Sequence, residues 1–286
     1  MDSTLQHHLS ALIGSPIQHC VAVTGGDIAQ AYRISTATNR LFCKLLQKAD
    51  AISVFQAEAD GLNAIAATKT IRVPEIHFCE PLGQGAVLIM EFVETKRPTK
   101  NDMANFGRQL ALLHKQYASS FGWASDNFIG SLSQSNKSHE TWPHFYVKER
   151  LVPQLNLAVN RRLLEVSEIP SADKMIKVLI DFCPAVRPSL VHGDLWSGNY
   201  LVRMDGTPFL IDPAIYYGHS EVDIAMSMLF GGFGDSFYSS YEKILPMDHE
   251  SPGRLKIYQL YYLLVHLNLF GSSYYSGVKA ILKSYF

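Results

Sequence analysis

Val191-His192-Gly193-Asp194-Leu195-Trp196-Ser197-Gly198-Asn199, followed by Phe209-Leu210-Ile211-Asp212-Pro213, is the stretch from which the rest of the chain is read. An Asp, an Asn five residues later and a second Asp eighteen residues after the first bracket a short β island. Its runs are 190–194, 199–202 and 208–212, and Asp205-Gly206 between the last two is a strong hairpin signal. Kinase-type phosphoryl transfer needs three acceptor groups at one point. A carboxylate orients or takes the attacking hydroxyl's proton, while an amide oxygen and a second carboxylate hold Mg2+, which prefers hard oxygen ligands. By itself an Asp-x-x-x-x-Asn pair reads as a loop with local caps. With His192-Gly193 before it and Asp212 closing the hairpin, Asp194, Asn199 and Asp212 read as these three groups.

Upstream, residues 20–93 alternate short β-like runs with turn chemistry. The runs are 20–24, 31–34, 41–46, 75–79 and 86–93, and one helical segment places Ile52, Phe55, Ala59 and Leu62 at three- and four-residue intervals. Lys44 shares its side of a strand with Phe42 and Leu46, and Glu58 follows fourteen residues later on that helix. A strand lysine that grips nucleotide phosphates, held by a helix glutamate, is the usual kinase arrangement. Gly25-Gly26-Asp27 offers backbone N–H groups to phosphates, without the spacing of either glycine-rich phosphate motif. Beyond residue 100 helices dominate: 101–117, with Asn101 or Asp102 as N-cap, then 139–159, 171–182, 224–245 and 252–269. The expected layout is α+β. A small antiparallel β lobe with one key helix (1–93) binds nucleotide, and a larger, mainly helical lobe (94–286) carries catalysis and the acceptor.

The composition agrees with a globular protein. In 286 residues, 47% are hydrophobic and 18% charged, enough to bury one large core or two lobes. Lys and Arg number 25 against 26 Asp and Glu, a formal net charge of -1, which argues against a nucleic-acid binder. Cys20, Cys43, Cys79 and Cys183 never approach a C-x-x-C spacing, so they read as small hydrophobes in a reducing compartment. Met1-Asp2-Ser3-Thr4 lacks the basic-then-apolar pattern of a signal peptide, and no apolar run reaches the roughly 20 residues of a membrane span. A soluble, cytoplasmic protein with no membrane partner is expected.

Further marks accompany the central stretch: Ala31-Tyr32, Phe42-Cys43-Lys44, Phe55 through Leu62, Leu88-Ile89-Met90-Glu91-Phe92, and Asp126-Asn127-Phe128-Ile129-Gly130 with Gln134 and Asn136. Asp212-Pro213-Ala214, Tyr217 through Asp223, Leu229-Phe230-Gly231-Gly232-Phe233 and Tyr258 through Gly271 complete the set. With these the chain resembles the fructosamine kinase family, within the protein-kinase-like and aminoglycoside-phosphotransferase-like enzymes, over nearly its whole length. The resemblance implies a protein-kinase-like two-lobed fold, ATP and Mg2+, and phosphorylation of a sugar hydroxyl on a small-molecule or protein-bound ketosamine. It makes Asp194 the proton acceptor and Asn199 and Asp212 the Mg2+ ligands. It makes Glu91, Phe92 and Val93 the connector that receives adenine, and puts Trp196 and His266 on the sugar side. As plain side chains, Trp196 and His266 read equally well as core.

The departures are informative. Gly193 stands where protein kinases carry the Arg that reads an activation-loop phosphate, and Asp212-Pro213-Ala214 replaces Asp-Phe-Gly. Only about ten residues separate Asp212 from the 221–223 segment, too few for a peptide-docking platform. A small acceptor and a permanently assembled site follow. Ser220 precedes Glu221 where the family pattern carries Arg. The alternatives are a phosphotransferase for an aminoglycoside, choline or homoserine, or a non-catalytic nucleotide-binding protein. A cationic acceptor asks for an acidic cleft, and 216–275 shows no dense acidic cluster. A binding module has no need of Asp194.

Overall fold

The computed structural model describes residues 3–23, 29–183 and 186–286. Strands β1 (His19–Val23), β2 (Gln30–Ser35) and β3 (Arg40–Leu46) are followed by helix α2 (Ala51–Thr68) and by β4 (Ile76–Leu82) and β5 (Gly85–Glu91). They form one antiparallel sheet in the order β1-β2-β3-β5-β4. Two-residue alternation buries both faces of its centre. Leu41, Cys43, Leu45, Val87 and Ile89 meet Leu9 of helix α1 (Ser3–Ile13), while Leu46, Ala86, Leu88 and Met90 meet Phe55, Ala59 and Leu62 of α2. Lys44 therefore points to the α2 face, as its spacing from Phe42 and Leu46 predicts. Helix α1 is an element the sequence reading did not anticipate.

The helical part begins with α3 (Lys100–His114). Its N-cap is Thr99 rather than Asn101 or Asp102. Thr99 accepts from the Asp102 N–H and Asp102 accepts from the Thr99 N–H, a reciprocal capping box. Two strand pairs then form around the central stretch. β8 (Ser189–Val191) pairs with β11 (Tyr216–Gly218), and β9 (Tyr200–Val202) with β10 (Pro208–Leu210), the latter through the expected Asp205-Gly206 turn. A further hairpin, β6 (Asn127–Ile129) and β7 (Leu132–Gln134), lies between the expected helices 101–117 and 139–159, where no element was expected. The helix expected over 139–159 begins at α4 (Trp142–Phe145), widens to a π turn at Tyr146–Leu151, and ends as α5 (Val152–Asn160). It is followed by α6 (Ala172–Phe182). The single helix expected over 224–245 is two, α7 (Glu221–Leu229) and α8 (Asp235–Glu242). Gly231, Gly232 and Gly234 adopt positive φ between them (101°, 73° and 83°), which ends one helix and reverses the chain. Helix α9 (Ser251–Phe270) runs through the centre, and α10 (Tyr275–Tyr285) closes the chain.

Backbone hydrogen bonds join sheet and helices. Residues after Glu91 are sewn to the β9–β10 hairpin by Lys96 N–H to Val202 O (3.0 Å) and Met204 N–H to Glu94 O (3.1 Å). Leu210 N–H donates to Arg72 O (2.9 Å) from the far side. Glu221, without an Arg before it, takes its partner from α9: Arg254 grips it with Nε and Nη2 at 2.8 and 2.7 Å, both residues buried. All four cysteines are free thiols, and burial pushes Cys43 up to about 12 and Cys183 up to about 11. Among the described residues, no helix is long and apolar enough to cross a membrane.

Helices α3 and α8 touch at Gly107, where an added Cβ would sit 2.2 Å from Phe237 O. Gly107→Ala sets two effects against each other. Helix propensity favours Ala by about 1 kcal/mol, and overpacking against backbone costs about 1–3 kcal/mol. A net loss of stability is expected, seen in urea unfolding as a lower midpoint at unchanged slope. A raised midpoint would show that the two helices separate at no cost.

Candidate active site

Asp194 lies in the loop that leaves β8. Gly193 precedes it at φ 84°, and a Cβ there would meet Ala214 O at 2.1 Å, so only glycine fits. The loop is held by Asp223 of α7, whose two oxygens accept the N–H groups of His192 (2.7 Å) and Gly193 (2.8 Å). Asp223 is itself buried and bonded to His114 Nε2 at 3.0 Å, and His114 Nδ1 meets the Tyr241 hydroxyl at 2.7 Å. The Tyr262 hydroxyl donates to Gly193 O (3.0 Å). His192 Nδ1 accepts from the Asp194 N–H (3.3 Å) and its Nε2 donates to Ile211 O (2.9 Å), which fixes one neutral tautomer. Burial pushes the His192 pKa down, in keeping with that neutral ring.

Asp194, Asn199 and Asp212 lie near one another. Asn199 Nδ2 donates to the Asp194 backbone O (2.9 Å) and to Asp194 Oδ2 (3.2 Å), so its amide oxygen is turned away from Asp194. Ile211 N–H donates to Asn199 O (3.1 Å), which sets Asp212 beside that loop. Asp212 adopts the left-handed backbone (φ 53°), and its carboxylate pairs with Lys44, which also bonds Glu58 at 2.7 Å. Lys44 and Glu58 are nearly enclosed, whereas the Asp212 side chain is 36% exposed. Burial works against the charge on Lys44, but Asp212 and Glu58 outweigh it and hold the ammonium above the ordinary lysine range. Burial likewise opposes ionisation of Asp212, yet Lys44 pulls its carboxyl below the usual value. Glu58 moves the other way: burial, with Asp212 nearby, pushes it up to about 7 against Lys44. Burial, then the charges of Asp212 and Asp223, also pushes Asp194 up to about 7. The two aspartates of the site are thus driven apart, one held ionised and the other poised to exchange a proton near neutrality.

The remaining expected residues are less closely joined. The Trp196 ring lies over Gly198, where a Cβ would come within 2.3 Å of Cη2, and is 37% exposed. His266, on α9, bonds the Tyr262 carbonyl through Nδ1 (2.8 Å) and packs among Phe230, Phe270 and Tyr274. It is one helical turn from the tyrosine that touches Gly193. In the connector, the Glu91 N–H is given to Glu75 O (2.8 Å) and the Phe92 N–H to Arg40 O (3.4 Å), and Val93 is buried. Gly25 and Gly26 lie outside the described residues. The sequence reading assigned no role to Asp223, His114 or Tyr262. Their signal is a single polar residue within an apolar run, as in Val222-Asp223-Ile224 and Leu112-Leu113-His114.

Asn199 keeps an amide oxygen turned away from Asp194, and Asp212, tied to the same loop through the Ile211–Asn199 bond, keeps a partly open carboxylate. Both are hard oxygen donors of the kind that suits a cation that keeps several waters and binds phosphate oxygens. The residues present therefore fit Mg2+ carried with a nucleotide.

Comparison with known proteins agrees with this geometry. The whole chain, residues 1–286, matches the family model described as Fructosamine kinase. A probable ketoamine kinase of Enterococcus faecium is 40% identical over 269 residues, 93% of this chain and 94% of the relative. A chloroplastic protein-ribulosamine 3-kinase of Arabidopsis thaliana is 37% identical over 272 residues, 92% and 81% of the two chains. A solved candidate fructosamine-3-kinase from Thermobifida fusca superposes with a TM-score of 0.86 at 31% identity, covering 99% of each chain. An aminoglycoside phosphotransferase shares the fold alone, with a TM-score of 0.66 at 14% identity and 99% of each chain covered. The α+β architecture is thus protein-kinase-like, and the chain, a kinase-type phosphotransferase, belongs to the fructosamine kinase family.

Proposed function

We propose that this protein transfers the γ-phosphoryl group of ATP to a sugar hydroxyl of a ketosamine, a fructose- or ribulose-type adduct on an amine. The observation that carries it is the meeting of Asp194, at about 7, with Asn199, Asp212 and the Lys44–Glu58 pair. Residues 1–93 act as the nucleotide lobe and 94–286 as the catalytic and acceptor lobe. Glu91, Phe92 and Val93 receive adenine through backbone groups. With the Glu91 and Phe92 N–H groups already given to the sheet, that task falls to the connector's carbonyls and the Val93 N–H. Gly25 and Gly26 cover the phosphates in this reading. Lys44, oriented by Glu58, grips phosphate oxygens in place of the Asp212 contact it makes here.

Asp194 accepts the proton of the attacking hydroxyl, and Asn199, spending its N–H group on Asp194, aligns that carboxylate. Asn199 Oδ1 and Asp212 would hold Mg2+, which, when bound, neutralises charge on the phosphates. Trp196 walls the sugar at the solvent side, and His266 lies beyond Tyr262 on the acceptor side. The relatives named ketoamine kinase and protein-ribulosamine 3-kinase support this class of acceptor.

Asp194→Asn is expected to lower kcat by about 10²–10⁴-fold, the usual worth of general-base help. Nucleotide binding by calorimetry and the unfolding midpoint should stay near wild type. A variant with more than about a tenth of the wild-type rate would remove Asp194 from the proton transfer. Because Asp194 accepts a proton only when ionised, kcat/KM should rise with pH through about 7 and flatten above it. A profile flat down to pH 5 contradicts the assignment.

Asp212→Ala should abolish the Mg2+-dependent part of ATP binding, and Asn199→Ala should weaken it more mildly, since a carboxylate offsets the ion's charge and an amide offers only a dipole. Calorimetry with and without Mg2+ separates the two. Unchanged Mg2+-ATP affinity in Asp212→Ala refutes the ligand role.

The acceptor is tested by ATP consumption against fructose-lysine, ribulose-lysine, aminoglycosides, choline and homoserine, with phosphorus NMR on any product. The ketosamines should be preferred, and Trp196→Ala should raise their KM by about tenfold with little change for ATP. Preference for an aminoglycoside transfers the assignment to that class, and equal loss for both substrates makes Trp196 structural.

A further inference from the structure

The Asp126-Asn127-Phe128-Ile129-Gly130 run, with Gln134 and Asn136, is a family mark that the mechanism above leaves without a task. It forms the β6–β7 hairpin, in which Asn127, Gln134 and Asn136 are all buried. Three buried amides in so short a segment are costly unless each finds partners. Two of them find the chain just beyond Asp212. Asn127 Nδ2 donates to Ile215 O (2.8 Å), and Gln134 Nε2 donates to Ala214 O (3.2 Å) and to Asn127 Oδ1 (2.7 Å). The Tyr261 hydroxyl of α9 donates to Gln134 Oε1 (2.6 Å), which fixes which end of that amide faces Ala214. Asn136 faces the other way, accepting from Arg150 Nη2 (2.6 Å) while donating to Ser125 O (3.0 Å), so the hairpin is anchored behind.

The other sides of the 212–215 segment are also held. The Ala214 N–H donates to His192 O (2.9 Å), and the Pro213 ring lies against Gly61 of α2, where a Cβ would be 3.0 Å away. Asp212 itself needs restraint, because a non-glycine residue in the left-handed region relaxes unless its surroundings fix it.

We propose that the β6–β7 hairpin is a clamp for the metal-binding aspartate. Asn127 and Gln134 are positioning residues that, through the carbonyls of Ile215 and Ala214, hold Asp212 in the one backbone conformation that aims its carboxylate at the cation. The proposal rests on the metal role given to Asp212 above. It also accounts for how the site stays assembled with Pro213-Ala214 in place of Phe-Gly: the clamp does constantly what packing of a mobile segment does conditionally.

The test compares Asn127→Leu and Gln134→Met, which remove the donors at near-constant volume, with Leu132→Ala, which weakens the same hairpin without touching the clamp. Calorimetric titration with ATP is run with Mg2+ and with EDTA, and hydrogen exchange is followed at residues 214–215 in the ligand-free protein. The clamp variants should lose about tenfold or more in the Mg2+-dependent part of affinity, the usual cost of removing a group that orients a metal ligand. ATP binding in EDTA should hold, and exchange at 214–215 should speed up. Leu132→Ala should lower the unfolding midpoint and leave Mg2+ dependence alone. Equal Mg2+ dependence in all three variants overturns the clamp. Should the clamp variants fail to fold, wild-type exchange decides at 214–215, which lie outside the β8–β11 pairing: protection there matching that of β8 supports the clamp, and rapid exchange overturns it. Asp212→Ala, run in parallel, separates the two levels. If it too leaves Mg2+ dependence unchanged, the metal role of Asp212 falls and the clamp with it, whereas an effect there with none in the clamp variants overturns the clamp alone.

Discussion

The Asp223 carboxylate takes the backbone N–H groups of two successive residues, His192 and Gly193, and everything in the site is placed relative to that bond pair. A buried carboxylate is tolerated only when its oxygens are satisfied, and here each accepts a backbone N–H while His114 covers one from the side. Because the two N–H groups belong to adjacent peptides, the contact fixes a direction as well as a position. Asp194 follows directly, Ala214 bonds back to His192 O, and the His192 ring reaches Ile211 O, so the loop and the Asp212 segment share one frame.

On that frame, charge is sorted by surroundings. Asp194 and Asp212 are the same residue type in one site, yet burial raises the first while Lys44 lowers the second. Lys44 reaches Asp212 from the sheet, so the same ion pair that separates the two aspartates chemically also ties the sheet to the helical part. The fold thus places one lysine on a strand and three residues on a loop and hairpin. An aminoglycoside phosphotransferase shares that architecture, and a shared architecture does not by itself choose an acceptor.

Much of this was legible in the sequence wherever the cause is local. Alternation fixed the side of Lys44, the Asp205-Gly206 turn fixed the β9–β10 register, and the Asp194–Asn199–Asp212 spacing brought the three groups together. What escaped depends on distant partners. Asp223 and His114 look like stray polar residues until chain positions 109 apart are brought within a hydrogen bond. Helix α1 carries Leu5, Leu9 and Leu12 at helical spacing, but its stability comes from covering a sheet face that the sequence does not display. The break between α7 and α8 was present as Gly231-Gly232 and Gly234, and apolar spacing on either side masked it. Thr99 was missed as a cap because its partner, Asp102, itself reads as one.

The placement of Trp196 has an optical consequence. Of the three tryptophans, Trp142 is sealed in the core among Phe121, Phe145, Tyr146 and Tyr258, and Trp123 is half-buried against Tyr217. Trp196 alone is as open to solvent as a surface residue while standing two positions from Asp194. Indole emission moves to longer wavelength in water, so the red edge of the protein's intrinsic fluorescence belongs to one residue, two positions from Asp194 in the chain. In the function proposed above, that residue would report on the acceptor with no added label.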